Sequence, residues 1–230
     1  MIDTRKVFKN VSCFHSEIIA DFVDMGKLNK SFNIIMMTKK MGGEPMIIKP
    51  LEFKLKDGRT ATLLSPREQD INGVIEYLRI SAGETEFILR YPEECDKYTY
   101  EAEKALFERK NASEDEAMLL CLVDGKVAGN CGIQFSSQLK LRHRAGLAIA
   151  LCKEYWNLGI GTRMFEEMEK LALTKPYVQI LELDFVEGNT RARALYEKMG
   201  FKIIGRRPNA ICLKDGTLLD EYMMQKKLVR

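Results

Sequence analysis

The chain has 230 residues, 46% hydrophobic and 30% charged, an ordinary globular composition with enough length for one large core. Its 36 basic and 33 acidic side chains leave a net charge of +3, too balanced to imply a nucleic-acid or membrane partner. Six cysteines without a Cys-x-x-Cys spacing, and only two histidines, argue against a zinc site, and no metal is expected. No secretory signal or membrane-length apolar run is visible, so reduced thiols and a cytoplasmic location are expected.

Residues 1–45 form a leader with no clean amphipathic period after Val23. From Phe53 to Leu64 the chain reads as two strands around Asp57-Gly58. Ser65-Pro-Arg-Glu68 has the pattern of a capping box with proline at the first helical position. Ile71, Val74, Ile75 and Leu78 continue that helix on one face. The stretch from Gly83 to Asp96 is aromatic and acidic, and a second helix is predicted from Tyr98 to Arg109. Met118 to Val123 and Lys126 to Phe135 form a hairpin across Asp124-Gly125, a type I′ signal. A further strand pair is expected to bracket Arg142-His143-Arg144. Cys121, Cys131 and Cys152 fall in apolar strand patterns, as small buried hydrophobes do.

The most informative segment follows. Leu147 to Leu151 reads as an apolar strand, Cys152 to Ile160 as a loop, and a helix starts near Gly161 with Met164, Phe165, Met168, Leu171 and Ala172 on one face. A loop entering a helix in this way aims backbone N–H groups and the positive end of the macrodipole at one spot. Gly159 and Gly161 would let a ligand approach the backbone closely. This is an anion site, best suited to phosphate. It is not a Walker A loop, because Gly161 is followed by Thr162-Arg163, nor a Rossmann fingerprint, because Met164 stands where a third glycine belongs. A second strand runs from Leu181 to Phe185. Asn189 then caps a helix carrying Ala192, Leu195, Tyr196 and Met199 on one face, and Gly200 ends it. Lys202 to Gly205 and Glu221 to Leu228 read as closing strands.

Together, Trp156-Asn-Leu-Gly-Ile-Gly161 and the pattern Asn189, Ala192, Tyr196, Gly200, Phe201 resemble the two signatures of the GNAT superfamily of acyl-CoA-dependent N-acetyltransferases, bacterial type. The resemblance spans roughly residues 52–228. It implies an α/β (α+β) GNAT fold over 46–230, a mixed central sheet of about six to seven strands with flanking helices, and acetyl-CoA as cosubstrate. It also implies transfer of an acetyl group to a primary amine of a small molecule or peptide by direct attack in a ternary complex.

Carried over position by position, the resemblance implicates main-chain groups of Ile149, Ala150 and Leu151 in holding the pantetheine arm. The pyrophosphate would rest on the N–H groups of Asn157, Leu158, Gly159, Ile160, Gly161 and Thr162, with Asn189 touching the cofactor. Tyr196 corresponds to the tyrosine that donates to the departing sulfur, and Asp184, five residues before Asn189, to the carboxylate of relatives that acetylate ribosomal-protein amino termini. A lysine-like amine of pKa ~10.4 costs about 4.6 kcal/mol to deprotonate at pH 7, an α-amine roughly 1 kcal/mol, so a base matters most for the former. Two positions depart from the family. Trp156 replaces Gln or Arg, and Gly146 replaces a glutamate that many members carry. Together they keep open a catalytically silent acyl-CoA-binding module, and the aromatic stretch Phe87 to Pro92 keeps open a partner-binding module on the same scaffold. The pocket for the acceptor is expected from the first helices and the strands around His143, and Glu84, Glu86, Glu93, Glu94 and Asp96 would suit a cationic amine.

Nothing in the leader matches the family, and Met46 would be an ordinary start for the domain. Met41-Gly-Gly-Glu-Pro45 is encodable by a purine-rich stretch resembling a bacterial ribosome-binding site, so translation is expected to begin at Met46. The rival reading is a genuine arm, with Phe14, Ile18, Ile19 and Phe22 as its apolar face, that packs over the domain or mediates a homodimer. A chain beginning at Met46 should keep the thermal midpoint and activity of the full chain. A large stability loss on truncation, or peptides from 1–45 in native cells, would refute this.

Overall fold

The computed structural model describes residues 45–230, so the apolar face at Phe14 to Phe22 and the rest of 1–44 lie outside the described residues. Among the described residues eight strands form one mixed sheet in the order β1-β2-β3-β4-β5-β6-β8-β7. They are β1 (Leu51–Lys54), β2 (Thr60–Leu64), β3 (Glu116–Val123), β4 (Lys126–Phe135), β5 (Arg144–Leu151), β6 (Ile180–Val186), β7 (Lys202–Cys212) and β8 (Leu218–Lys227). Four helices flank them: α1 (Ile71–Glu84), α2 (Tyr100–Ala112), α3 (Ile160–Thr174) and α4 (Thr190–Lys198). The expected mixed sheet is present, with one strand more than the upper expectation. No helix among the described residues is long and apolar enough to cross a membrane.

Local chemistry explains most boundaries. Asp124 and Gly125 both have positive φ (50° and 77°), the type I′ geometry that lets β3 and β4 close with a matching twist. Thr99 caps α2 by accepting from the N–H of Ala102 at 3.2 Å, which moves that helix two residues later than expected. Gly200 ends α4 at φ 89°. Cys121, Cys131 and Cys152 are buried, and burial pushes the Cys121 and Cys152 thiols up to about 12.

Two expectations are corrected. Ser65 does not cap a helix. Its Oγ accepts from the N–H of Ile48 at 2.9 Å and its own N–H donates to the Ile48 carbonyl at 3.1 Å, so it ties the entering chain to the domain. The turn at 68–70 is instead organised by Asp70, whose carboxylate accepts from the Arg67 N–H and guanidinium, and α1 begins only at Ile71. No additional strand pair brackets His143. Residues 136–143 connect β4 to β5, and the His143 carbonyl accepts from Gln179 and Ile180, aligning the start of β6.

One feature of the sheet positions everything that follows. β5 and β6 are the parallel pair, and they pair only through Arg144–Gly146 opposite Ile180–Glu182. Beyond that point β5 stays with β4 as far as Leu151, and β6 stays with β8 as far as Val186. The two strands therefore part, and the sheet opens between them.

Candidate functional site

The opening holds a cavity of about 740 Å³. Its walls include Leu147 to Leu151 of β5, Asp184 to Val186 of β6, the loop into α3, the inner side of α4, and the α1–α2 connection. Of the sequence-predicted residues, Ile149, Ala150, Leu151, Asn157, Gly159, Ile160, Gly161, Thr162, Asp184, Asn189 and Tyr196 all line it. Leu158 does not. Its carbonyl accepts from the Lys56 N–H at 3.2 Å and its side chain packs on the core.

At one mouth sits the start of α3. Gly159 is its N-cap, in the left-handed conformation at φ 98°, and offers no side-chain acceptor to the helix. The first intrahelical bond runs from the N–H of Arg163 to the Gly159 carbonyl, so the amides of Ile160, Gly161 and Thr162 have no acceptor within the helix. A serine or aspartate cap would take one of these donors, whereas glycine leaves them for a ligand. Gly161 has a different role from the one its spacing suggests. A Cβ there would lie 2.7 Å from Leu195 Cδ2, so its missing side chain lets α4 pack close to α3.

Cations that sequence reasoning missed surround this mouth. Arg191 stacks on the Trp156 ring at 4.0 Å and donates to Asn157 Oδ1 at 3.2 Å. Lys198 donates to Thr162 Oγ1 at 3.2 Å, and Lys56 completes the group. Arg191 and Lys198 lie a heptad apart on α4, which could have marked them as one helical face. Trp156 braces the loop, its indole N–H donating to the Leu151 carbonyl at 2.9 Å. Asn189 caps α4 through the N–H of Ala192 at 3.2 Å.

The two reactive candidates reach the cavity from adjoining strata. Tyr196 is buried, edge-on to Phe165 at 5.5 Å and to Phe185 at 6.2 Å, on the face that carries α3 and α4. Burial raises its phenol well above the ordinary tyrosine range, which keeps the proton on the oxygen at neutral pH. Asp184 precedes Phe185 on β6 and so points to the opposite face, where α1 and α2 lie. It is the only carboxylate among the described residues lining the cavity. On that face the Tyr77 hydroxyl lies 2.8 Å from Asn130 Oδ1 and 3.1 Å from the Ala150 carbonyl, joining α1 to the cavity wall.

The α1–α2 connection supplies the rest of this mouth through Phe87, Ile88, Leu89, Arg90 and Tyr98. His143 and its neighbours do not line the cavity, because the turn at 136–143 lies at the far end of β5 from the opening. The acidic residues of the connection do not line it either. Glu84 accepts from the Lys153 N–H at 2.6 Å, Glu94 from the Tyr91 N–H at 2.7 Å, Asp96 pairs with Arg79 at 2.8 Å, and Glu93 pairs with Lys214. They hold the connection in place rather than meeting a ligand.

Comparison with known proteins agrees with this geometry. Residues 84–201 match the model of the acetyltransferase (GNAT) family. The chain belongs to that family. Among solved structures, a GNAT-family acetyltransferase of Streptococcus pneumoniae is 26% identical, with a TM-score of 0.67 over 73% of this chain and 99% of that one. A ribosomal-protein-alanine N-acetyltransferase of Brucella melitensis is 22% identical, at 0.57 over 72% and 99%. A Salmonella typhimurium protein solved with its cofactor acetyl-CoA is 16% identical, at 0.55 over 74% and 95%. Likeness at the last two identities is likeness of fold. A search of curated proteins found no match.

One buried acid beside the site has a consequence for stability. Burial lifts the Glu103 carboxyl from 4.5 to about 7, with the charge of Arg90 pulling the other way. The folded protein thus keeps a proton that the unfolded chain releases near 4.5, and stability from this group falls as pH rises through that window. Glu103→Gln, neutral at every pH, should lose that slope. Its thermal midpoint relative to the parent protein is expected to rise from about pH 4.5 to about pH 7, and a constant difference would refute the assignment.

Proposed function

We propose that the protein transfers the acetyl group of acetyl-CoA to a primary amine by direct attack in a ternary complex. The observation that carries this reading is the cavity in the split sheet, with an uncapped helix start and three cations at one mouth and Asp184 toward the other. In it the pyrophosphate rests on the amides of Ile160, Gly161 and Thr162, with Arg191, Lys198 and Lys56 supplying charge complementarity. The pantetheine arm extends along Ile149 to Leu151, where β5 faces the opening and has no strand partner on that side. The thioester then lies where β5 and β6 part, and main-chain N–H groups there meet the oxyanion as charge develops.

Asp184 accepts the amine proton, directly or through water, before or as nitrogen attacks the acetyl carbon. Collapse of the tetrahedral intermediate breaks the carbon–sulfur bond, and Tyr196 donates a hydrogen bond to the thiolate. Its raised pKa, against ~8.5 for a free thiol, favours hydrogen-bond stabilisation over complete proton transfer. Trp156 and Gly146 do not close the site. The indole is turned onto the Leu151 carbonyl, and Gly146 lies within the last paired stretch of β5 and β6.

The reading is tested by acetyl-CoA-dependent thiol release against polyamines, amino acids, aminoglycosides and peptide amino termini. Turnover with any of them supports it, and binding of CoA without turnover favours the silent module. Thr162→Glu retains a residue suited to a helical first turn but sets a carboxylate among the phosphate donors, so acetyl-CoA affinity should fall by about tenfold or more. Unchanged affinity by calorimetry would displace the site. Tyr196→Phe is expected to reduce kcat on the order of 100-fold with cofactor affinity retained. Asp184→Asn should depress the rate most at low pH, where the amine is least able to shed its proton unaided, and an unaltered pH–rate profile would take Asp184 out of the mechanism.

A further inference from the structure

The α1–α2 connection carries a charge for which acetyl transfer by itself has no use. Arg90 is only 5% exposed. Its Nε and Nη2 donate to the Leu78 carbonyl at 3.4 and 3.3 Å, and Nη2 also to Ser81 Oγ at 2.9 Å. Among the described residues Nη1 has no hydrogen-bond acceptor, and no carboxylate lies within 4.0 Å of the guanidinium. The carboxyl that senses its charge, Glu103, is lifted by burial to about 7 and so is a part-time counter-ion at neutral pH. Arg90 belongs to the cavity wall, and with Nε and Nη2 held by neutral oxygens its Nη1 group is the donor left for a ligand that enters.

Its position separates it from the cofactor phosphates. Those face the start of α3 and α4, beside Arg191 and Lys198. Arg90 is anchored to α1 on the opposite face of the sheet, the face toward which Asp184 is directed, and Tyr98 lies 5.9 Å from it in the same wall. Of the acids flanking it in sequence, Glu84, Glu93, Glu94 and Asp96 are engaged by Arg79, Lys214 and main-chain amides, and Glu86 does not line the cavity. The acceptor's mouth therefore has the opposite electrostatic character to the one the acidic stretch suggests. An unpaired buried cation is unfavourable, and a ligand that brings the missing anion relieves it.

We propose that Arg90 anchors an anionic group of the acceptor, so that the substrates are small amines bearing a carboxylate or a similar acid, as amino acids do, rather than polyamines or aminoglycosides. This rests on the acetyl-transfer reading and narrows its substrate class. The Nη1 group of Arg90 pairs with the acid while Asp184 takes the proton of the amine, which gives the two ends of one molecule separate holds.

The test compares the common amino acids with their own carboxamides, using the full chain and acetyl-CoA. The best amino acids should exceed their amides in kcat/KM by about 10- to 100-fold. The amide's amine is the more readily deprotonated, so such a preference cannot arise from amine basicity. Arg90→Gln should erase the preference, chiefly through KM, with acetyl-CoA affinity unchanged, and Arg90→Lys should restore part of it. Equal rates for acids and amides, or a preference that survives in Arg90→Gln, would overturn the anchor. Failure of every amine to turn over would count against acetyl transfer itself. The anchor is then judged separately, by calorimetric titration of the CoA complex with the same acids and amides. Selective binding of the acids upholds it, and equal or absent binding overturns it.

Discussion

The site depends on the early parting of β5 and β6. Each strand is satisfied along one side, β5 by β4 and β6 by β8, yet they share only three paired positions with each other. Main-chain groups on the facing sides are left without a strand partner, and unpaired backbone away from water is unfavourable unless something completes the ladder. An extended ligand rich in amides does this. The same divergence opens the sheet from one face to the other, so groups on opposite faces can act on one pair of reactants. A continuous ladder from Arg144 to Leu151 would have filled this space with backbone.

The faces are kept distinct by the alternation of strand side chains. Phe185 packs with Tyr196 and Tyr222 on the α3–α4 face, which directs Asp184 to the other. The free amides at the start of α3, Arg191 and Lys198 share the first face. Arg90 and Tyr98 share the second with Asp184. Tyr196 is held in a cluster with Phe165, Phe185 and Phe201, so its ring is fixed by packing and its hydroxyl has little freedom to wander from the cavity. Tyr196 and Asp184 thereby border the cavity from opposite faces of the sheet.

Local patterns carried a long way toward this picture. The α3 and α4 segments were legible because glycine, an asparagine cap and an apolar stripe at helical spacing are all short-range signals. The type I′ turn at Asp124-Gly125 was legible for the same reason, since both positions favour positive φ. Ser65 was misleading: its cap pattern is genuine as local chemistry, but Ile48, seventeen residues earlier, competes successfully for the hydroxyl. Gly161 lines the cavity as its spacing suggests, but the atom its missing Cβ avoids belongs to Leu195 on another helix, which spacing does not record. The acidic stretch from Glu84 to Asp96 pointed to a cationic ligand, whereas Glu84, Glu93, Glu94 and Asp96 are engaged by Lys153, Lys214, Tyr91 and Arg79.

What the sequence determined by itself was the order of elements and the glycine-led start of α3, while the resemblance to the family singled out Asp184, Asn189 and Tyr196. Element order and that helix start are written in spacing along single segments, and periodicity reports such local relations faithfully. Tertiary structure alone decided where the sheet opens, that Arg191 would lie on Trp156, and that Arg90 rather than its acidic neighbours would face the cavity. Those outcomes depend on which of several competing partners each charged group meets. That competition involves strands and helices tens of residues apart, which no local pattern records.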